Sequence, residues 1–376
     1  MEISTNRIKS LISTVFMGWF LKIITFIGIL ILFFFSIELM VKSLTVLGEG
    51  AASQLIQGAE MPFIAIFIGL LSTALIQSSS SVTSIAVAIV ASQAITLEMG
   101  IYIIMGANVG TTLTSNIVSL GFITNRRLFR QALAAATVHD FFNMMTVVIL
   151  FPLEHYYHVL SNTARMAARL ITSRPADVNY SDTDSGIYWL HSLADRIYDI
   201  VGIHWLVLAI SVLILVLSIK MFSSYSYKLL IGGSRDKLKS YIFNKPFKSF
   251  SWGVIITGAL QSSSITTSLV VPLVATHKIT LHAVFPFILG ANLGTTITAL
   301  MAGFFKSEVA LSLAMAHVLF NLIGVLIFLP FSSIRGIPEY LAIHFGRLAS
   351  KRRLIVFFYI LMTFFIIPFI LIYLSK

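Results

Sequence analysis

The sequence predicts an all-α polytopic membrane protein made of two inverted-topology repeats, each a re-entrant helical hairpin carrying the tetrapeptide QSSS plus two transmembrane helices. Three observations lead there: a composition too apolar for a soluble chain, a long internal duplication, and a distribution of basic residues that only hairpins reconcile. Of the 376 residues, 57% are hydrophobic and 11% charged, and the mean hydropathy is +0.92. A soluble domain carries about 25% charged residues. Apolar runs long enough to cross roughly 30 Å of hydrocarbon fall near 23–41, 99–119, 132–151, 201–219, 283–303, 309–329 and 354–374.

Displaced by 184 residues, GLLSTALIQSSSSVTS (69–84) lies over GVIITGALQSSSITTS (253–268), and GANVGTTLT (106–114) over GANLGTTIT (290–298). From 69 to 114 there are 22 identities in 46 ungapped positions. After a deletion of six residues in the second copy, VHDFFN (138–143) matches AHVLFN (316–321) and Pro152 matches Pro330. A serine-rich tract arising by chance would not carry its neighbours along, so the chain contains a true internal repeat.

Residues 1–61 read as a cytoplasmic N-terminus and a first transmembrane helix. The run 23–41 is longer than a signal-peptide core and no clear small-residue cleavage site closes it, so it is taken as uncleaved. Repeat 1 occupies 62–152 and repeat 2 occupies 249–330. Each opens with a segment, 63–92 or 250–276, too short for two full spans and longer than one needs. A single crossing there would put Arg126, Arg127 and Arg130 on the opposite face from Arg7 and Lys9, against the cytoplasmic preference of basic loops. A hairpin that enters and leaves on one side keeps 19 of the 26 Lys and Arg inside. Hairpin 1 then enters from outside and hairpin 2 from inside. On the same reasoning 153–200, rich in Asp, is an extracellular loop, and 201–248 is a linking transmembrane helix with a basic cytoplasmic loop. Residues 331–376 form a cytoplasmic loop and C-terminal transmembrane helix. Within them 337–350 reads as an interfacial amphipathic helix, which leaves the side of the C-terminus open. The net charge of +11 thus reports membrane orientation, and no nucleic-acid partner is expected. The absence of cysteine excludes disulfides and thiolate metal sites. The sequon at Asn179 is too short a signal to decide anything.

Polar groups in hydrocarbon must find partners in the protein, a cavity or a ligand. Single serines can back-bond within a helix or pack between helices. Consecutive helical residues point in three directions, so one packing interface cannot use Gln and three serines in both copies, whereas a helix break can. At such a break the N-terminus of the outgoing half-helix offers free N–H groups, positive dipole and serine hydroxyls to an anion. The incoming half's carbonyls, with Gln, Asn and Thr oxygens, are hard neutral ligands for an alkali cation. In GAN-x-GTT the glycines loosen the helix or admit a close neighbour, Asn108 and Asn292 carry amide oxygens, and Thr111, Thr112, Thr295 and Thr296 can satisfy freed carbonyls. The membrane part of both repeats holds no Lys or Arg. Import of a doubly negative oxyanion would be opposed by roughly 4.6 kcal/mol per 100 mV, which points to co-bound Na⁺ or protons. Broken helices meeting at mid-membrane between inverted repeats are the layout of secondary transporters.

The paired QSSS and GAN-x-GTT motifs, with FRQALAAATVHDFFN (129–143) ahead of an outer loop, resemble the type II sodium-dependent phosphate cotransporter (Na/Pi cotransporter) family. The resemblance spans both repeats. It implies Na⁺-driven phosphate import by alternating access, with Na⁺ as coupling ion and no cofactor. It also implies phosphate contact at Ser78, Ser79, Ser80, Ser262, Ser263 and Ser264. Sodium coordination falls by the same resemblance to Gln77, Gln261, Asn108, Asn292, Thr83, Thr111, Thr112, Thr267, Thr295 and Thr296. The short, cysteine-free outer loop departs from animal members and resembles a compact bacterial member, which implies a multi-pass protein of the plasma membrane (bacterial inner membrane). Some bacterial relatives carry a regulatory domain after the membrane part and export phosphate; the end of this sequence at residue 376 favours import. Oligomeric state stays open, a homodimer included. The alternative within the class is export, or another oxyanion.

Several features carry less. His139-Asp140 is a candidate proton relay, but repeat 2 reads His317-Val318, and a structural hydrogen bond to a neighbouring helix is an equal reading. His155 and His158 have metal-ligand spacing without further ligands. Glu38 and Lys42 are four apart and expected to pair. A rival from another class, an intramembrane lipid-phosphate hydrolase, would use a serine with His139-Asp140, but the chain doubles its serines and not its carboxylate. A non-catalytic membrane scaffold is the third class, and it leaves the polar load unexplained.

Overall fold

The computed structural model describes residues 2–48, 61–172, 188–231 and 242–375. The sequon and Asp177, Asp182 and Asp184 lie outside them. The described elements are helical. In order they are α1 Glu2–Gly48, α2 Pro62–Ile76, α3 Ser79–Ala91, α4 Leu97–Gly110, α5 Leu113–Leu120, α6 Arg126–Tyr157, α7 Val159–Thr172, α8 Tyr188–Val201 and α9 His204–Ile231. There follow α10 Pro246–Leu260, α11 Ser263–Ala275, α12 Leu281–Gly294, α13 Thr296–Phe304, α14 Glu308–Phe328, α15 Ser332–Lys351, α16 Leu354–Leu361 and α17 Ile367–Leu374. A π-helical turn, Met362–Ile366, joins the last two.

Among the described residues seven helices or helix pairs are long and apolar enough to cross a membrane, and they coincide with the seven apolar runs of the sequence. The chain is a multi-pass α-helical membrane protein. Burial sorts the spans. Leu97–Leu120 and Leu281–Phe304 are 83% and 78% buried over their most apolar windows, which places them at the centre, while Phe20–Val46 and Leu354–Leu374, at 22% and 17%, face lipid. Hydrogen-bonding side chains start the central helices: Thr96 accepts from Met99 N–H, Thr280 from Ala283 N–H and Ser307 from Ala310 N–H. Pro62 and Pro246, where a missing N–H costs nothing, open α2 and α10.

Within each half, paired helices are locked by backbone contact. A Cβ built on Gly106 would lie 1.8 Å from the carbonyl oxygen of Ile66, and one on Gly69 1.9 Å from that of Ile103. The corresponding distances at Gly290 and Gly253 are 2.0 Å to Phe250 O and 2.2 Å to Phe287 O. The glycines of GAN-x-GTT therefore admit close approach rather than loosen a helix. They seat α2 on α4 and α10 on α12 at separations no side chain permits.

Contacts at the two ends give the relative directions. At one end Arg165 of α7 pairs with Glu98 at the start of α4, and Arg169 with Glu308 at the start of α14, both at 2.8 Å. At the other, His282 at the start of α12 meets Glu339 and Arg335 of α15, and Arg353 donates to Thr124 O just before α6. The starts of α4 and α12 thus lie at opposite ends, and α6 and α14 run antiparallel. The second end carries Arg126, Arg127, Arg130, Arg347 and Lys351 and is called here the basic end.

Three expectations need correction. Glu38 and Lys42 do not pair with each other: Lys42 meets Asp195 at 2.9 Å and Glu38 meets Lys306 at 2.5 Å, because tertiary partners on α8 and beside α13 outcompete a local pair. Residues 153–200 are not simply a loop, since α6 runs to Tyr157 and α7 and α8 follow, with Leu160, Ala164 and Ala168 buried on one face of α7. The 337–350 segment belongs to a longer helix, α15, which is docked along α6 with Ala342, Gly346 and Ala349 buried rather than lying free at an interface.

Candidate functional site

The serine tracts sit at helix breaks. Gln77 and Gln261 both take up the left-handed conformation, φ 55° and 51°, which ends α2 and α10. Their N–H groups close onto Thr73 O and Thr257 O at 2.7 and 2.6 Å. Ser78 and Ser262 follow in extended conformation, and their hydroxyls accept from Ser81 N–H and Ile265 N–H, capping α3 and α11. Each hairpin therefore presents a helix N-terminus, its free N–H groups and a serine hydroxyl at its tip.

The tips meet across the repeats. Ser80 Oγ donates to Gln261 O at 3.0 Å, and Ser264 Oγ to Thr111 O at 3.3 Å. Ser115 and Thr267 share a hydrogen bond of 3.0 Å. The hydroxyls of Ser79 and Ser263, both buried, have no partner among the described residues. A cavity of about 520 Å³ starts at Gln77, Ser78, Gln261, Ser262 and Ser264, passes Thr114, Ser268 and Leu269, and ends at the exposed Lys220 and Ser224. Lys220 makes no ion pair among the described residues. Among the described residues it is the one cation lining this cavity, and sequence reasoning missed it because α9 lies outside both repeats.

The amide groups form a second network. Asn292 Nδ2 donates to Asn143 Oδ1 and Asn321 Oδ1 at 2.9 and 2.6 Å, and Asn292 Oδ1 faces His139 Nε2 at 3.1 Å. Asn143 Nδ2 in turn donates to Asn108 O, and Asn108 Nδ2 to Ile104 O. The Asn292 oxygen is thus engaged by the protein. Thr111, Thr112, Thr295 and Thr296 donate to carbonyls three or four residues earlier in the chain, as do Thr83 to Ser80 O and Thr267 to Ser263 O. Gln261 Nε2 lies 2.9 Å from Met301 Sδ, and Gln77 lines the cavity.

Asp140 is fully buried beside this network. Its Oδ2 accepts from Asn116 Nδ2 and from the Tyr359 hydroxyl, each at 2.7 Å, while Oδ1 of both Asp140 and Asn116 is buried without a partner among the described residues. The interhelical hydrogen bond anticipated for the His139-Asp140 pair is present. The two unpaired oxygens were not foreseeable, because Asn116 and Tyr359 have no counterpart in a recognisable motif. Among the described residues no serine bonds to His139 or Asp140, so the hydrolase constellation is not assembled. His155 stacks on Phe151, and no group of three or more metal-ligating side chains occurs among the described residues.

Paired hairpins whose serines and helix N-termini meet inside a multi-pass bundle define a polytopic α-helical membrane protein with a polar centre. The chain belongs to the Na⁺/Pi-cotransporter family, whose model matches residues 32–168 and 214–349 and so takes in both hairpins and the helices that seat them. It is 26% identical over 443 residues to the sodium-dependent phosphate transport protein 2B of Homo sapiens, covering 92% of this chain and 64% of that protein. The 2B protein of Pongo abelii is 27% identical with the same coverage. The 2A protein of Rattus norvegicus is 28% identical over 430 residues, covering 93% of this chain and 67% of the relative. The chain thus spans just under two thirds of the 2B relatives it matches. No solved structure matches it. The family is one of transporters, not of enzymes.

Proposed function

We propose that the protein is a sodium-coupled secondary active transporter of the plasma membrane that imports inorganic phosphate by alternating access. The observation that carries the reading is the floor of the cavity, where two hairpin tips from different repeats converge their serines and helix N-termini. Such a floor offers hydrogen-bond donors and positive dipole to an anion without a fixed cation in the hydrocarbon. Phosphate takes its contacts from Ser78, Ser262 and Ser264, which line the cavity, together with Ser79, Ser80 and Ser263 of the same tips, and the hydroxyls of Ser79 and Ser263 have no partner among the described residues. Lys220, at the mouth, draws the anion along the cavity by charge.

A coupling Na⁺ suits the neighbourhood of Asp140. A buried carboxylate without a cationic partner is costly in a membrane, and the free Oδ1 atoms of Asp140 and Asn116 are hard oxygens of the type an alkali cation takes. Gln77, Gln261 and the threonines contribute once the tips move, since in the present arrangement their hydroxyls are spent on helix carbonyls. The inhibitory potential of roughly 2.3 kcal/mol per charge per 100 mV is then offset by the entering cations.

Beyond Lys220 the Tyr225 hydroxyl of α9 donates to Lys22 O, so the mouth lies toward the N-terminal basic cluster, which is cytoplasmic by charge; this is the releasing state of an importer. The deciding experiment is radiolabelled phosphate uptake into proteoliposomes under an inward Na⁺ gradient against an inward K⁺ gradient. Concentrative uptake with Na⁺ alone is expected. Uptake indifferent to the cation, in vesicles shown to be sealed, would remove the symport reading and leave export or another oxyanion.

A further inference from the structure

Two adjoining cavities of about 510 and 550 Å³ lie at the basic end, apart from the hairpin tips. The first is lined by Arg126, Arg127 and Arg130 of α6 and by Arg347, Ser350 and Lys351 of α15. The second shares Arg126 and Lys351 and adds Arg352 and Arg353. These seven cations are exposed, and no carboxylate among the described residues lines either cavity. Membrane orientation needs basic loops but does not need them gathered. Here folding brings together two clusters more than 200 residues apart, and a tight backbone contact holds them. A Cβ on Gly346 would lie 2.6 Å from the Arg130 carbonyl oxygen, so α15 presses on α6 beside Arg130 and Arg347. Like charges so gathered repel unless an anion lies among them.

The second cavity continues onto Leu354 and Ile355, the start of α16. From there Leu354, Phe357, Phe358 and Leu361 are 80%, 47%, 61% and 50% exposed, the outer face of a span that packs little against the protein. The basic pocket therefore stands where headgroups meet hydrocarbon. We propose that it binds the phosphodiester headgroup of an anionic phospholipid, whose acyl chains lie along the exposed face of α16. Arginine forks suit phosphate oxygens in pairs, and basic pockets between membrane helices on the cytoplasmic side are suited to such headgroups. The contiguous apolar face favours a lipid over free phosphate, which would need none. The bound lipid ties α6 of repeat 1 to α15 after repeat 2. This inference stands independently of the transported solute.

The test uses the full chain purified in neutral detergent, with phosphatidylglycerol, phosphatidylcholine or inorganic phosphate added. Thermal unfolding and native mass spectrometry are read on each sample. Phosphatidylglycerol should raise Tm and remain bound under conditions that strip phosphatidylcholine. In the triple variant Arg126→Gln, Arg130→Gln, Arg347→Gln the preference for the anionic lipid should fall about fivefold per cation removed. Equal retention of the two lipids by the wild-type chain, a measurement that does not depend on the variant folding, would overturn the proposal. So would an undiminished preference in a folded variant, or stabilisation by inorganic phosphate that the triple variant loses, since the occupant would then be the free ion.

Discussion

Replacing Gly106 with alanine should displace hairpin 1 without touching a single polar group of the site. The added methyl would sit 1.8 Å from Ile66 O, 2.7 Å from Ile66 C and 2.9 Å from Leu70 N, all backbone atoms that no rotamer change can move. Real Cβ contacts essentially never fall below 3.0 Å, so α2 and α4 must separate by about 1.2 Å. The clash lies on α2, which ends at Ile76, so the shift is passed along a rigid helix to the Gln77-Ser78 tip. Overpacking of this kind costs about 1–3 kcal/mol, and a misplacement near 1 Å at a binding group is enough to cost on the order of 100-fold in rate. The control is Gly28→Ala in α1, where nothing lies within 4 Å of the added carbon. There alanine should be neutral or stabilise by about 0.5–1 kcal/mol. Thermal unfolding in detergent and initial rates of phosphate uptake, measured on both variants, separate the outcomes. If Gly106→Ala unfolds at the wild-type temperature and transports at the wild-type rate, backbone contact between α2 and α4 does not position the tip, and the reasoning fails.

Ser79→Ala and Ser263→Ala remove hydroxyls with no partner among the described residues, so each should leave Tm nearly unchanged while raising the phosphate KM at least tenfold in the uptake assay; a fall in Tm with unchanged KM would assign them to packing. Lys220→Gln should weaken phosphate interaction from the basic end alone, read as a several-fold higher half-saturating phosphate for exchange with that end facing the medium, and an effect equal from both ends would refute a role at the mouth. Asp140→Asn keeps an acceptor for Asn116 and Tyr359 and removes the charge, so the protein should fold while the Na⁺ concentration for half-maximal uptake rises severalfold; unchanged Na⁺ dependence would remove Asp140 from the ion path. Asn292→Ala strands Asn143 Oδ1, Asn321 Oδ1 and His139 Nε2 together, and a Tm loss corresponding to about 2–4 kcal/mol is expected by thermal unfolding.

What the sequence made legible is what duplication and bilayer physics write twice. The spans follow from apolar length. The breaks at Gln77 and Gln261 follow because four consecutive polar residues cannot share one face of a continuous helix, and because a second copy shows the same tract at the same distance from GAN-x-GTT. Features that depend on which distant surfaces meet were not legible. Lys42 finds Asp195 and Glu38 finds Lys306 only after α8 and α13 are packed beside α1. The docking of α7 on α14 and of α15 on α6 exchanges elements between the halves, and no local periodicity encodes a partner. Lys220 read as one more orienting charge until α9 was seen to wall the cavity. The sequence leaves Asp140 equally a proton relay or a structural hydrogen bond, because a single oxygen without a partner among the described residues leaves no mark in a sequence.

The two QSSS serines that cross between repeats do not make equivalent bonds. Ser80 reaches Gln261 O, while Ser264, its counterpart, reaches Thr111 O rather than Gln77 O. Two similar halves thus make unlike bonds, and the transport cycle proposed above would let the chain hold them the other way round. In the exchanged form Ser264 would take the Gln77 carbonyl and Ser80 that of Thr295, closing the mouth at Lys220 and opening one at the end marked by Glu98 and Glu308. The chain has no cysteine, so spin labels placed by substitution at Lys220 and Leu269 would report this directly as a second, shorter distance. A broken symmetry of two hydroxyls choosing among four carbonyls, rather than a dedicated hinge, would then be the switch itself, with its two positions differing only in which repeat plays which part.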